Sequence, residues 1–360
     1  MITATDLSTF LTRRRGRALH WTDVVAYLYL AVGVLVVVLP VVWMLFSSVK
    51  SQRALVENDP RLLPYEQITV AGPEGRALSV FALARDDGSR IDVAFLAPKG
   101  RNALVVPVAE VADASKAFEA PRDRLIRKEA LAPQFTNYTD PMLGKGGADA
   151  FPFLRYFWNS TFVTVVATLL TLLVNAMAAF ALSKYRFRGR DAIVVIIVST
   201  LLIPPTVILV PLFITVQGLG LFNKLWGVIV PAVASPTGVF LLRQYMLTIP
   251  DELIEAARMD AASEWKIFWR IVMPLAAPAL AVLAILSVIW RWNDFMWPLI
   301  VLTKSEVYTL QLGLSTFKGE IADNMHHLLA MTVLTLAPVT LVFVFLQKHI
   351  TAGIASTGLK

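Results

Sequence analysis

Few residues of this sequence are equipped for chemistry, and they gather in two places. The first is Ile249-Pro250-Asp251-Glu252-Leu253-Ile254-Glu255-Ala256-Ala257-Arg258-Met259-Asp260-Ala261-Ala262-Ser263, running on through Trp265, Phe268 and Trp269 to Ile271-Val272-Met273-Pro274. Pro250 suits the first position of a helix, and Asp251 and Glu252 favour its positive end. A short helix is therefore expected there. The alanines at 256, 257, 261 and 262 leave its flank thin enough for a close-packed backbone or cleft wall, while Glu255 and Asp260 add charge. The aromatic residues that follow suit a second short helix on a membrane surface or under a bundle. Taken alone, these features also fit an ordinary interfacial connector.

The second place is Trp290-Arg291-Trp292-Asn293-Asp294, the most polar point of an otherwise apolar stretch. Polar side chains within a membrane span are costly and point to function. Aromatic faces beside amides and carboxylates suit a sugar, because apolar surface and hydrogen-bond partners come together. The alternative is a structural clasp in which Arg291 and Asp294, at i and i+3, pair with each other. Asn175 and Gln217 are lesser candidates, of the kind that hydrogen-bond between helices.

Both places must be positioned by a membrane bundle. The chain of 360 residues is 56% hydrophobic and 16% charged, which is too apolar for a soluble protein of this length. Its net charge of +7 sits in short clusters beside apolar runs, so it reads as topology and not as a nucleic-acid surface. There is no cysteine and there are four histidines, which excludes thiolate chemistry and argues against a metal site. No Gly-x4-Gly-Lys-Ser/Thr phosphate loop occurs, so ATP hydrolysis cannot reside on this chain. No catalytic residue, metal site or cofactor is expected.

Six stretches are long enough to cross about 30 Å of hydrocarbon, near 24–48, 158–182, 191–214, 226–247, 275–302 and 328–349. The first is too long for a signal-peptide core and is read as a retained span. Basic residues mark the cytoplasmic side: Arg13, Arg14, Arg15 and Arg17, then Lys184, Arg186, Arg188 and Arg190, then Arg243, Arg258, Lys266 and Arg270. Both termini, the 184–190 loop and the 248–274 loop are thus expected in the cytoplasm. Residues 51–150 fall outside. Segments 68–71, 76–85, 90–97 and 102–110, punctuated by Gly72-Pro73-Glu74-Gly75, Asp86-Asp87-Gly88 and Pro98-Lys99-Gly100, suit a small antiparallel β meander, read as a spacer or docking module. The expected division is 1–50, tail and first span; 51–150, extracytoplasmic insert; 151–350, a five-helix core with the loop at 248–274; and 351–360, a cytoplasmic tail. The fold class is an all-α polytopic membrane protein of six transmembrane helices with a small β-rich insert between spans 1 and 2.

The order of residues in the 248–274 loop closely resembles the EAA loop of binding-protein-dependent ABC importer permeases. That pattern is Glu-Ala-Ala, three residues, Gly, then about nine residues to an Ile-x-x-Pro close. Glu255-Ala256-Ala257 and Ile271-Val272-Met273-Pro274 match it, and Ala261 stands where the family usually has glycine. If that position needs a positive φ, the turn after the helix must differ slightly. Family-like stretches also include Tyr156-Phe157-Trp158-Asn159-Ser160, Ile203-Pro204-Pro205, Trp292-Asn293-Asp294-Phe295-Met296-Trp297-Pro298 and the closing Gln347-Lys348-His349-Ile350-Thr351-Ala352-Gly353. The resemblance runs from about Phe157 to the carboxyl end, with a weaker match in the first span, and leaves out the insert.

Together these stretches resemble the maltose-type carbohydrate permeases, specifically the shorter permease of a heterodimeric pair. The resemblance implies the type I ABC importer permease fold in a bacterial or archaeal inner membrane. It also implies that Glu255, Ala256, Ala257, Asp260 and Ala261 belong to a helix docked into a cleft of a cytoplasmic ATPase. The implied partners are a second homologous permease, a dimer of ATPases that bind ATP and Mg, an extracytoplasmic solute-binding protein, membrane lipid and a carbohydrate. A di- or oligosaccharide is favoured, with polyols and glycerol phosphates as neighbours. A secondary transporter would want internal repeats, and none is evident.

Overall fold

The computed structural model describes residues 21–56, 61–72, 75–85, 88–143, 151–317 and 321–357. The amino-terminal arginines and the turn residues Pro73, Glu74, Asp86 and Asp87 lie outside them. The chain divides into two compact units, residues 1–137 with 323–330, and residues 138–322 with 331–360.

In the first unit, α1 (Trp21–Ser47) has a mean hydropathy of 2.7 over its most apolar stretch, with none of that stretch buried. At 27 residues it is about 40 Å long, enough to cross a bilayer. Its exit is pinned where Asn137, in α3 (Thr136–Met142), donates to the carbonyls of Ser48 and Lys50, each at 2.9 Å. Between lie the short α2 (Gln52–Val56) and eight strands: β1 (Tyr65–Gln67), β2 (Thr69–Ala71), β3 (Ala77–Ala84), β4 (Arg90–Lys99), β5 (Asn102–Pro107), β6 (Phe118–Pro121), β7 (Leu125–Arg127) and β8 (Glu129–Leu131). The expected meander is β2 to β5, each pairing antiparallel with the next.

What patterning did not reveal is that the sheet curls. β6 pairs with β5 at one edge and β7 with β3 at the other, yet only Arg122, Asp123 and Arg124 separate β6 from β7. Laid flat, those edges would stand about 19 Å apart, beyond the roughly 14 Å that so short a link can reach. A register shift between Phe95 and Ala97 supplies local bend. Adjacent residues of β4 serve opposite faces: Val93 joins Leu83, Val105 and Ala120 in one apolar cluster, and Ala94 joins Leu78 and Val106 in another.

The second unit is helical. Its elements are α4 (Phe153–Lys184), α5 (Arg190–Thr200), α6 (Pro205–Gly218), α7 (Leu225–Ile229), α8 (Pro236–Met246), α9 (Asp251–Met259), α10 (Glu264–Ile267), α11 (Met273–Leu275), α12 (Ala277–Trp292), α13 (Met296–Val301), α14 (Leu310–Phe317) and α15 (Ile321–Thr357). Among the described residues, α1, α4 and 324–345 are straight stretches long and apolar enough to cross a membrane, and three bent pairs raise the number to six if each is one span.

Those bends correct the expected spans at 191–214 and 275–302. The former is α5 and α6 meeting at 105°, because Pro204 and Pro205 stop one helix and open the next. The latter is α12, which ends at Trp292 and is preceded by the helical stretch Glu264–Leu275, meeting it at 77°. The Leu225–Ala232 and Pro236–Met246 segments meet at 41°. α4 is straight and central. It packs against α8 and α12 and contributes to both buried apolar clusters, through Ala176, Ala179 and Phe180 at one end and Val163 and Ala167 at the other.

Candidate coupling helix and mid-membrane polar cluster

α9 begins at Asp251, one residue later than expected, with Pro250 extended before it at φ −58° and ψ 131°. Ile254 and Ala257 point inward and join the apolar cluster of Phe180, Leu242, Met246 and Phe268. Glu252, Glu255, Ala256 and Asp260 are exposed, as is Met259 at 87%. The four alanines therefore do not share one flank: Ala257 packs inward, Ala256 faces out, Ala261 lies in the turn and Ala262 is half-buried.

The end of α9 settles the turn at Ala261. Ala262 N–H donates to the Ala257 carbonyl and Ala261 N–H to the Arg258 carbonyl, both at 3.0 Å, the paired bonds of a Schellman close. Ala261 takes φ +53°, so the left-handed turn survives with alanine in the position that usually favours glycine. Ser263 then caps α10, accepting from Lys266 N–H at 3.3 Å. The expected second helix is this short piece followed by a π turn over Phe268–Val272. Trp265 stacks on Phe268 at 5.8 Å and remains 58% exposed.

Charged groups fasten the loop. The Lys184 side chain, 3% exposed, donates to Asp251 Oδ1 at 2.6 Å and to the Ile249 carbonyl at 2.5 Å. The hydrogen bond from Lys184 holds the Asp251 carboxyl below its ordinary range. Arg258 grips Glu264 through Nε at 2.7 Å and a second nitrogen at 3.2 Å, and Tyr185 O–H donates to the same carboxylate at 2.6 Å. Glu264 is held low, by Arg258 first and Tyr185 next. Burial, and then the Glu264 contact, push the Tyr185 hydroxyl up to about 12.

Residues 290–294 diverge. Trp290 is half exposed. Arg291 donates to Thr171 Oγ1 at 3.0 Å and to the Ala232 carbonyl. Trp292 is buried, its Nε1–H donating to the Thr335 carbonyl at 2.9 Å and its ring edge-on to Phe157. Asn293 turns back to the Ile289 carbonyl at 2.8 Å, and Asp294 accepts from Trp297 N–H at 3.3 Å. Arg291 and Asp294 form no ion pair, so the alternative of a clasp is not realised. Each finds backbone or hydroxyl partners at a helix break instead.

What does assemble is a polar cluster around the break between Ala232 and Pro236. Asn175 is fully buried; it donates to the carbonyls of Thr171 at 2.6 Å and Val233 at 3.0 Å, and accepts from Ser235 N–H at 3.0 Å. Backbone groups freed at a break inside hydrocarbon need such partners. Gly238 leaves room for it, since a Cβ there would come within 3.2 Å of the Asn175 amide carbon and of Leu283. Thr168 and Ser287 share a hydrogen bond of 2.9 Å one turn away. Sequence reasoning rated Asn175 a lesser candidate and missed Thr171 and Ser235. The signal was present: Thr164, Thr168, Thr171 and Asn175, all buried, recur at the spacing of one helical face. Gln217 is exposed and does not join them.

Comparison with known proteins bears on this arrangement. The family model described as "Binding-protein-dependent transport system inner membrane component" matches residues 172–356. The arabinooligosaccharides transport system permease protein AraQ of Bacillus subtilis is 38% identical over 226 residues, 63% of this chain and 79% of that protein. The sn-glycerol-3-phosphate transport system permease protein UgpE of Pectobacterium atrosepticum is 31% identical over 252 residues, 69% of this chain and 88% of that protein. The fold matches that of a chain from the crystal structure of a bacterial ABC transporter involved in the import of the acidic polysaccharide alginate, with a TM-score of 0.65, 22% identity, and 94% and 99% of the two chains covered. By the span of the family model and the identity to these permeases, the chain belongs to the family of binding-protein-dependent transport system inner membrane components.

Proposed function

We propose that this permease forms part of the pathway by which an ATP-driven importer takes up a carbohydrate, a di- or oligosaccharide, with a polyol or glycerol phosphate as the alternative. The relative named for arabinooligosaccharides supports the first, and the one named for sn-glycerol 3-phosphate supports the second. In this reading a second homologous permease completes the pathway, a solute-binding protein delivers substrate from outside, and a dimer of cytoplasmic ATPases binds ATP and Mg. This chain hydrolyses nothing. Its termini lie in the cytoplasm, residues 51–150 form an extracytoplasmic insert, 151–350 the core and 351–360 a cytoplasmic tail.

The observation that carries the reading is the two-sided α9. One side is anchored through Ile254 and Ala257, while Glu255, Ala256, Met259 and Asp260 stand free of the apolar core. A rigid helix presented in this way suits insertion into a cleft of another protein, and Glu255 would meet a cation there, since an unpaired charge at an interface is costly. Rigid-body movement of the ATPases would carry the docked helix with it. Trp290, Arg291, Trp292, Asn293 and Asp294 are kept as candidate pathway residues. Within that set the half-exposed Trp290 and the exposed Asn293 are better placed to meet a solute than buried Trp292.

The test is purification of tagged protein from native membranes, with Glu255→Lys beside it. Recovery of an ATPase, a second permease and a binding protein with the wild type, and loss of the ATPase with the variant, is expected. A lone protein that moves solute without ATP would sink the reading.

A further inference from the structure

In sequence, the coupling loop is bracketed by α8 and α12, yet its polar attachments run to α4. We propose that Lys184 and Tyr185, at the end of α4, are positioning residues that make α4 the route by which motion of the coupling helix reaches the interior of the bundle. The proposal rests on the coupling reading above and adds to it the path taken.

Both ends of α9 are tied to two consecutive residues. Lys184 holds the Ile249 carbonyl, two residues before α9, and Asp251, its first residue, while Tyr185 holds Glu264, which in turn binds Arg258 in the last turn of α9. Arg258 also lies 5.7 Å above the Tyr185 ring. Below these contacts, Phe180 meets Tyr185 at 5.3 Å and Phe268 at 5.6 Å. Displacing α9 without α4 would break the ion pair, the carbonyl contact and the tyrosine bond together. Its covalent neighbours are weaker conduits. The loop joins α12 through a π turn and a 77° bend, and joins α8 through the turn at Thr248, Ile249 and Pro250.

α4 itself runs unbroken from Phe153 to Lys184 without an internal proline, so it moves as a rod. Nine residues back from Lys184, about 14 Å along the helix, Asn175 grips the Val233 carbonyl and the Ser235 amide at the break. Four residues further, Thr171 accepts from Arg291. A shift of the cytoplasmic end of α4 is therefore delivered to the place where the Leu225–Ala232 and Pro236–Met246 segments bend and where Arg291 of α12 is hydrogen-bonded.

Hydrogen exchange read by mass spectrometry tests this on the purified importer complex, with and without ATP and vanadate, for the segments 251–263 and 231–239. In the wild type both are expected to change several-fold on nucleotide trapping. Lys184→Met is expected to keep the response at 251–263 and lose that at 231–239, while Lys184→Arg restores it. Tyr185→Phe, which removes only a hydroxyl, is expected to weaken it and guards against poor assembly of Lys184→Met. A response at 231–239 that survives in both Lys184→Met and Tyr185→Phe would overturn the proposal. So would a wild type that responds at 251–263 alone, with the coupling reading left intact. A wild type silent in both segments would remove the coupling reading and this proposal with it.

Discussion

Two polar stations of α4, an outer end at Lys184 and Tyr185 and an inner end at Thr171 and Asn175, are held by opposite means. At Lys184 and Tyr185, near water, charges meet charges: Lys184 with Asp251, and Arg258 with Glu264. At Thr171 and Asn175, in the interior, the single cation Arg291 meets a hydroxyl and a carbonyl, and the rest of the contacts are neutral. The difference follows from dielectric. Near water an ion pair is cheap to form and gains little, whereas in hydrocarbon a broken helix leaves backbone groups whose desolvation exceeds the worth of any one contact. The outer end is thus built to hold a loop in position, and the inner end to make a bend tolerable.

The largest effect should come from the inner end. Asn175→Leu orphans the Val233 carbonyl and the Ser235 amide, and is expected to cost about 2–4 kcal/mol, read as a drop in the unfolding midpoint of the purified complex. An unchanged midpoint would show that the break finds other partners. Arg291→Met should cost less than Asn175→Leu, because removing a buried cation also removes its own desolvation penalty. A larger loss at Arg291 would reverse the ranking of neutral over charged contacts at this end.

At the outer end, Lys184→Met is expected to cost about 1–2 kcal/mol, measured by local opening of the 249–264 amides. Ala261→Gly should go the other way. Glycine relieves the left-handed backbone at φ +53° but loses more chain entropy, for a net gain of about 0.5–1 kcal/mol in protection of the Ala262 amide. No gain would mean that the turn is held at no strain. The smallest effect is in pH. Asp251 and Glu264 are held below their ordinary range in the folded loop, so their contribution is present above that range and is lost as pH falls through the lowered values. Acidification through the carboxylate range should lower the protection of 249–264 relative to its intrinsic exchange rate and change that of 231–239 less, since the hydrogen bonds at Asn175 involve no titrating group.

Much of this was legible from residue order. The apolar runs marked the bundle, the turn residues marked four strands of the insert, and Glu255-Ala256-Ala257 marked a helix between spans. Legibility failed where a feature depends on residues distant in sequence. The strands Phe118–Pro121 and Leu125–Arg127 are too short to announce themselves, and only their pairing partners define them. Trp290 to Asp294 read as one polar site because adjacent letters look like adjacent chemistry, yet a helix end fans its side chains apart. The polar face of Thr164, Thr168, Thr171 and Asn175 was diluted by leucines and valines between its members.

By itself, then, the sequence determined membrane class and the presence of a short helix at Asp251–Met259 between apolar segments, because hydropathy and local backbone preference act over neighbours a few residues apart. Only the tertiary structure decided that α9 is fastened to α4, that Ala261 accepts a left-handed turn, and that Arg291 hydrogen-bonds at the break at Ala232 without an ion pair to Asp294. Each of these is chosen by whichever buried group most needs a hydrogen bond, and that need arises only after the helices have packed.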